Sequence, residues 1–180
     1  MTESTPSPTR DRTPLAPPAT MRSAYYERYG RPQDVVSVRT VPTPRPAAGE
    51  VLVRVRAASV NALDWHFVTG LPMFARPSLG LRRPTRQVPG ADASGEVVAV
   101  GEGVTHHRIG DKVFGEIEGG GFAEYALAPE DRWLPLPEGV SHEQAATLGR
   151  CGSHSRPAAA RWDSAIRHGL RTPASPPGRA

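Results

Sequence analysis

Cysteine and long apolar runs are nearly absent from this 180-residue chain. The single cysteine, Cys151, excludes an intramolecular disulfide framework and a cysteine-based zinc cluster. No apolar run approaches the roughly 18–20 residues that span a bilayer, and the N-terminus has no apolar core of the kind found in secretory signals. We therefore expect a cytoplasmic protein that has no membrane partner.

Lysine is also scarce, since Lys112 stands alone against 21 arginines, and the resulting charge is unevenly spread. Residues 149–180 hold six Arg and one acidic residue, whereas residues 1–148 hold 16 basic and 17 acidic residues. The formal net charge of +4 therefore comes from the C-terminal stretch. A nucleic-acid-binding surface concentrates positive charge on the folded part of a protein, so we expect no nucleic-acid partner.

Composition divides the chain into three regions. Residues 1–20 are rich in Thr, Pro, Ser and Arg and have little to bury, which predicts a disordered leader and makes both Met1 and Met21 candidate starts of translation. Residues 21–148 alternate apolar and turn-forming stretches and form the expected domain. Residues 149–180 have few apolar residues and no period, so we expect a disordered tail.

Short alternating segments dominate the middle region. The clearest strand is 51–60, in which three valines share one face. A short helix is predicted over 61–70, and another begins at Ser141 with the S-x-x-Q form of a capping box. Further strands are predicted at 21–30, 35–41, 93–100, 112–116 and 122–128, with a Pro- and Arg-rich loop running to Gln87. Such spacing predicts a mainly β fold, a partly open barrel with short helices, rather than βαβ units.

The sequence Gly101-Glu102-Gly103 follows a predicted strand and invites comparison with a dinucleotide-binding loop. That fingerprint needs a third glycine and then a helix beneath the pyrophosphate. Here the third position holds His106, and the β-forming residues of DKVFG follow. We therefore interpret the two glycines as a turn between strands.

Four segments of the middle region together resemble the medium-chain dehydrogenase/reductase superfamily, in particular its N-terminal GroES-like catalytic domain, over about residues 21–148. The segments are GEVLVRVRAASVNALDWH (49–66), PGADASGEVVAVGEGV (89–104), GDKVFG (110–115) and GGFAEYALAPEDRWLPLPEGVSHEQAATL (120–148). The resemblance implies a GroES-like, partly open β-barrel in which the glycine pair is a turn between barrel strands.

The resemblance also predicts whether the chain has zinc ligands. The first zinc ligand of the zinc-bearing members is a Cys that aligns with Asn61, and their ligating His aligns with Ala91. The four-Cys lobe that those members insert after the G-D-x-V strand has no counterpart here. The chain is therefore similar to the zinc-independent quinone oxidoreductases of the zeta-crystallin type. This branch implies no metal, NADPH as cofactor, a small-molecule quinone or enone as substrate, and frequent homodimers.

Three residues are candidates for the catalytic site on this resemblance. Asn61 replaces the Cys ligand, and its amide would donate to nicotinamide or substrate; the alternative is an Asn that caps a turn. His66 matches a proton-relay position and would protonate the product, unless Trp65-His66-Phe67 is simply the buried face of a short helix. Asp64 matches an acidic residue near the zinc site of relatives, and we expect it to hold the loop by pairing with an Arg. Asn61 and His66 are also the predicted cofactor contacts.

Other side chains are weaker candidates for a functional role. His106 and His107 are interpreted as solvated residues of a turn. The cluster Arg82, Arg83 and Arg86 would suit a cofactor phosphate or an acidic substrate, but solvation is the simpler reading. Cys151 has no neighbouring base in sequence, so a catalytic thiol is not expected.

The nucleotide-binding Rossmann domain that follows in family members finds no match after Leu148. We therefore expect a fragment that is inactive alone and binds no NADPH by itself, with a non-catalytic GroES-like module or interaction partner as the alternative. The abrupt end of the match also suggests that residues 149–180 are the product of a shifted reading frame.

Overall fold

The computed structural model describes residues 16–148, in which strands predominate and the helices are short. The strands are β1 (Thr20–Tyr25), β2 (Ser37–Pro42), β3 (Glu50–Ser59), β4 (Asp92–Val100), β5 (Lys112–Glu116), β6 (Tyr125–Pro129) and β7 (Leu134–Pro135). The α-helices are α1 (Pro32–Val35), α2 (Ala62–Thr69), α3 (Arg76–Leu79) and α4 (His142–Ala146), and 3₁₀ turns cover Met73–Ala75 and Glu130–Arg132.

The strands form two antiparallel sheets. A five-stranded sheet has the order β6-β3-β4-β5-β7, and β1 pairs with β2. An isolated bridge between Ser23 and Ala123 joins the two sheets, flanked by a 2.8 Å hydrogen bond from Ala24 N to Phe122 O. Within residues 16–148 the larger sheet does not close on itself, so the predicted mainly β, partly open GroES-like fold is confirmed.

The hydrophobic core lies on one face of the larger sheet. Val51 and Val53 of β3 are completely buried there, and Val55 packs against the same cluster, as the alternating pattern predicts. Other members of the core are Ala93, Val97, Val113, Ile117, Ala126, Ala128 and Trp133. Each fully buried valine contributes about 1.5–3 kcal/mol of transfer free energy. Leu52 points to the opposite face and is equally buried, which shows that β3 is covered on both sides at this point.

The glycine pair after β4 makes a turn, as predicted. Gly103 has φ 78°, the left-handed region that glycine adopts without strain. Gly101 serves a different purpose, because a Cβ there would lie 1.7 Å from the carbonyl oxygen of Ala47. Its amide donates to Glu50 O at 2.8 Å, so the turn is fastened to the start of β3.

Several boundaries differ from those predicted. Pro32 occupies a first-turn position of α1, where its missing N–H costs nothing, so the predicted strand at 35–41 starts only at Ser37. The predicted loop before Gln87 contains the 3₁₀ turn at 73–75 and α3, and β6 starts at Tyr125 rather than at 122. Thr20 already belongs to β1.

The remainder of the predicted leader, residues 1–15, lies outside the described residues. So does the tail 149–180 with its proposed frameshift. A membrane-spanning helix, which needs both length and sustained apolarity, is not found among the residues that the structure describes.

Helix α4 begins at the predicted capping box, with Ser141 Oγ accepting from Gln144 N at 3.2 Å. Its first residue, His142, places Nδ1 2.7 Å from Ser94 Oγ on β4, and that hydroxyl donates to Val113 O at 2.9 Å. Because the serine proton is committed to a carbonyl, His142 Nδ1–H donates to Ser94. The contact fixes the start of α4 to the sheet face, where Ala145 and Ala146 are buried.

The stability of the folded chain is expected to decrease as the pH falls, because His142 is harder to protonate in the folded state than in the unfolded state. Burial, assisted by the positive charges of Lys112 and Arg56, lowers the pKa of His142 from its ordinary value near 6.5. The unfolded chain therefore takes up a proton first as pH falls, so stability is retained above pH 6.5 and lost below it. The free energy of unfolding should fall less between neutral and acidic pH in His142→Gln than in the native chain. Denaturant titrations across that range check this.

The matched control for this change is His106→Gln, which removes an exposed histidine from a turn. It leaves the His142–Ser94 contact in place, so its loss of stability on acidification is the baseline for His142→Gln. Equal loss of stability in His142→Gln and in the native chain would mean that His142 does not drive the effect.

Candidate active site

Asn61 lies at the junction of β3 and α2 and caps the helix. Its Oδ1 accepts from Leu63 N at 2.7 Å, and its backbone N–H donates to Asp64 Oδ2 at 2.9 Å. This reciprocal arrangement is a capping box, and it confirms the alternative that Asn61 caps a turn. A short side chain that accepts at this position is what a helix start needs.

The carboxylate of Asp64 joins helix α2 to the loop before β4. Asp64 is 4% exposed, and its Oδ1 accepts from the backbone N–H groups of Gly90 and Ala91, each at 3.0 Å. The expected arginine partner is not found among the contacts of Asp64 within the described residues, so that part of the prediction is wrong. Main-chain donors hold the carboxylate instead, and hydrogen bonds to a charged group are worth about 1.5–3 kcal/mol each.

Asp92 completes this group of side chains and was not anticipated from the sequence. It is 2% exposed at the start of β4, and its Oδ2 accepts from Asn61 Nδ2. The available signal was an acidic residue at the start of a strand, followed by the small residues Ala93, Ser94 and Gly95. Together, Asn61, Asp64 and Asp92 form one cluster, in which both carboxylates are buried and Asn61 is half-buried. We name it the amide–carboxylate cluster.

Gly90 allows the loop to approach its neighbours closely. Its φ is 104°, and a Cβ would lie 2.4 Å from the backbone nitrogen of Phe122. Gly90 O accepts from Gly121 N at 2.9 Å, and Ala91 O accepts from Ile117 N at 2.6 Å. The loop is thus fixed on both sides, by Asp64 and by the backbone around residue 121.

His66 occupies the half-exposed side of α2. Its Nδ1 lies 2.7 Å from Leu71 O, and a carbonyl oxygen only accepts, so Nδ1 carries a proton. Nε2 is then the ring nitrogen that does not contact Leu71 O. The buried residues of α2 are Asp64, Val68 and Thr69, and the neighbouring Trp65 is 48% exposed. The interpretation of residues 65–67 as a buried helix face is therefore wrong.

Tyr26 packs behind the loop that leads into β4. Its backbone N–H donates to Gln87 O at 2.9 Å, and its side chain is almost completely buried. Burial, reinforced by the neighbouring Tyr29, raises the pKa of Tyr26 to about 12. The phenol therefore stays protonated at neutral pH and fills space behind Asp64 without adding charge.

The other sequence candidates lie away from this cluster. His107 is 5% exposed and its Nε2 lies 3.1 Å from both Glu130 O and Trp133 O, so the expectation of a solvated residue is wrong for it, whereas His106 is exposed. Arg86 pairs with Glu118. Arg82 and Arg83 are exposed, and Cys151 lies outside the described residues.

The amide–carboxylate cluster does not line the surface depression of this domain. A depression of about 490 Å³ is lined by residues that include Arg86, Glu118 and Arg132, but not by the amide–carboxylate cluster or His66. Within residues 16–148, no group of three or more His, Cys, Asp or Glu side chains is placed to hold a metal ion.

The fold and these motifs define a GroES-like domain. Residues 47–138 match the sequence profile of the alcohol dehydrogenase GroES-like domain, and the chain belongs to this family, within the medium-chain dehydrogenase/reductase superfamily.

Quinone oxidoreductases are prominent among its relatives. The chain is 37% identical over 135 residues to the chloroplastic quinone-oxidoreductase QR1 of Triphysaria versicolor and 32% identical over 130 residues to the quinone oxidoreductase of Rattus norvegicus. These matches cover 73% and 72% of this chain but only 40% and 37% of the relatives. The solved quinone oxidoreductase of Coxiella burnetii superposes with a TM-score of 0.65 at 32% identity, covering 74% of this chain and 42% of that one.

Replacing Asp64 with Asn should destabilise the domain by about 2–4 kcal/mol, because an amide NH₂ would face a backbone N–H in a buried site. The volume is unchanged, so the loss reports the hydrogen bonds and not a cavity. Urea denaturation of the full chain measures it.

Asp34→Asn is the matched control, since Asp34 is an exposed acid paired with Arg31 at 2.8 Å. An exposed ion pair contributes less than about 1 kcal/mol. If Asp64→Asn and Asp34→Asn have similar effects, Asp64 does not organise the site.

Proposed function

We propose that this chain supplies the acceptor-binding side of a zinc-independent, NADPH-dependent oxidoreductase that acts on a quinone or enone. The observation that carries the proposal is the amide–carboxylate cluster, in which Asn61 holds the position that the resemblance aligns with a zinc-ligating Cys. The similarity to quinone oxidoreductases supports the substrate class.

The side chains at the two ligand positions do not suit a metal. Ala91 has no donor atom, and Asn61 Oδ1 is already engaged by Leu63 N. Asn61 Nδ2 faces the Asp92 carboxylate and presents hydrogens rather than an electron pair. An amide is also a weak zinc ligand beside thiolate or imidazole. Hydrogen bonds inside the protein therefore replace the metal that other members use.

The chain's own donors fit the polarisation of a carbonyl. Asn61 Nδ2 carries two hydrogens and Asp92 takes one, which leaves one donor for the nicotinamide carboxamide or a substrate oxygen. Preorganised donors of this kind stabilise developing negative charge. When bound, NADPH would supply the hydride. Because Nδ1 keeps its proton on Leu71 O, His66 would give the acceptor oxygen a proton from Nε2 only in its doubly protonated, cationic form, and it would be left as the neutral ring. Asp64 is a positioning residue in this scheme, because it fixes both Asn61 N and the loop at Gly90.

The nucleotide's phosphates need a different kind of element. Within residues 16–148 the glycine pair after β4 is a hairpin turn, and no helix exceeds eight residues. Pyrophosphate is held by a glycine-rich loop that opens a helix. We therefore expect the described residues to contribute little to NADPH affinity, and to act on the acceptor and the nicotinamide end.

The purified full chain should hold no stoichiometric zinc. Elemental analysis after dialysis against zinc-containing buffer gives the metal content per chain. As a control, the double variant Asn61→Cys/Ala91→His restores the family's ligand types and should retain more zinc. About one zinc per native chain, lost on Asn61→Ala, would refute the zinc-independent assignment.

A quinone should perturb His66 directly. Duroquinone is a suitable probe because all its ring positions are methylated and cannot add to the Cys151 thiol. In ¹H–¹³C spectra of the full chain, its titration should shift the ring signals of His66 and leave those of His106 unchanged. His66→Gln should weaken binding about fivefold, the value of one hydrogen bond.

His106→Gln serves as the matched control and should bind duroquinone like the native chain. If the His66 signals stay fixed through the titration, the acceptor does not bind at this site. The non-catalytic GroES-like module is then the better description.

A further inference from the structure

Residues 71–83 carry large apolar side chains that remain in water. Met73, Phe74 and Leu81 are 66%, 85% and 68% exposed, and Leu71 beside them is 41% exposed. These side chains lie at a 3₁₀ turn and at a tight turn after α3 rather than in a groove. Apolar residues concentrated in one exposed segment indicate an interaction surface.

The same stretch of chain is purely basic. From Trp65 to Ala91 there is no Asp or Glu, whereas there are four Arg. Arg76 and Arg86 have partners within the fold, through Gly70 O and Glu118 respectively. Arg82 and Arg83 are exposed and form no ion pair with any residue that the structure describes. They stand next to Leu81, so free cations and exposed apolar groups share one surface.

The body of the domain holds this segment in place. Tyr29 donates to Leu79 O and Gly80 O at 2.8 and 2.7 Å, and the Arg76 guanidinium lies 4.7 Å above the Tyr29 ring. Arg76 Nε also donates to Gly70 O at 3.1 Å. The turns are thus presented on a fixed base, and their exposure does not come from a loose loop.

We propose that residues 71–83 form a peripheral docking surface for a bilayer that contains anionic phospholipids. Phe74, Met73 and Leu81 would enter the boundary between headgroups and acyl chains, while Arg82 and Arg83 meet lipid phosphates. Such docking needs no membrane-spanning segment, and it revises the expectation of no membrane partner that rested on the absence of one.

Charge complementarity favours this occupant over a second copy of the chain. A two-fold contact through residues 71–83 would bring Arg82 and Arg83 against the same residues of the other copy. No acidic residue lies in the segment to compensate them. An anionic bilayer supplies the missing negative charge and also accepts apolar side chains that project singly.

Flotation of the full chain with vesicles tests the proposal without NADPH or quinone, so its outcome is independent of the proposed function. The chain should float with vesicles of phosphatidylcholine and phosphatidylglycerol and much less with phosphatidylcholine alone. Arg82→Gln/Arg83→Gln should lower the partition coefficient about thirtyfold, since each Arg at the surface contributes about 1 kcal/mol. Phe74→Ser/Leu81→Ser should lower it comparably.

Two control variants separate the segment from general charge and apolarity. Arg45→Gln/Arg108→Gln removes the same charge from exposed positions elsewhere, and Val38→Ser removes an apolar side chain that is 76% exposed. Each should change partitioning less than about twofold, because distant charges are screened. Circular dichroism checks that the variants fold. The shift in the fluorescence of Phe74→Trp on vesicle addition checks that position 74 enters lipid.

Equal loss in both arginine pairs would overturn the proposal and assign the binding to net charge, including that of residues 149–180. Unchanged flotation of Phe74→Ser/Leu81→Ser would overturn it as well. If that variant instead lowers the oligomeric state in sedimentation, the surface is a contact between copies. If flotation requires an acidic protein added to the vesicles and does not depend on the anionic lipid, the partner of this surface is an acidic protein instead.

Discussion

The buried carboxylate of Asp64 is the interaction on which the rest of this site depends. One oxygen closes the capping box at Asn61, and the other receives two main-chain N–H groups from Gly90 and Ala91. Helix α2 and the entry to β4 are therefore fixed relative to each other by one side chain. A buried charge with several hydrogen-bond donors keeps its position because any displacement would leave it unsatisfied.

Under the proposed function, this arrangement takes the place of a metal. Asn61 is held at both ends of its amide, by Leu63 N and by Asp92, so its orientation is set before any ligand arrives. A zinc ion would provide a strong Lewis acid at such a position. A fixed amide hydrogen provides a weaker polarisation, which suits acceptors that are reactive without further activation, as conjugated carbonyl compounds are.

Much of the architecture could be predicted from the sequence, because it follows local rules. Alternation revealed β3, a capping pattern revealed α4, and a failed nucleotide fingerprint left Gly101 and Gly103 as a turn. Contacts between distant residues could not be read in this way. The Asn61–Asp92 and Ser94–His142 contacts span 31 and 48 positions, and the burial of His107 depends on two carbonyls more than 20 residues away. The short helices α1 and α3 were not predicted, because the segments that form them contain Pro and Arg and show no helical period.

The carboxylate of Asp64 contacts residue 91 through the backbone N–H of that residue and not through its side chain. The hydrogen bond from Ala91 N does not depend on which side chain follows it. Position 91 can therefore exchange a methyl group for a ligating ring whenever the surrounding space permits, while the loop keeps its course. Gly90 next to it has no such freedom, since the backbone of Phe122 occupies the place of a Cβ. A position whose Cβ the scaffold forbids thus lies beside one whose side chain the scaffold does not contact through Asp64, so a ligating side chain at 91 would leave the hydrogen bonds of the loop in place.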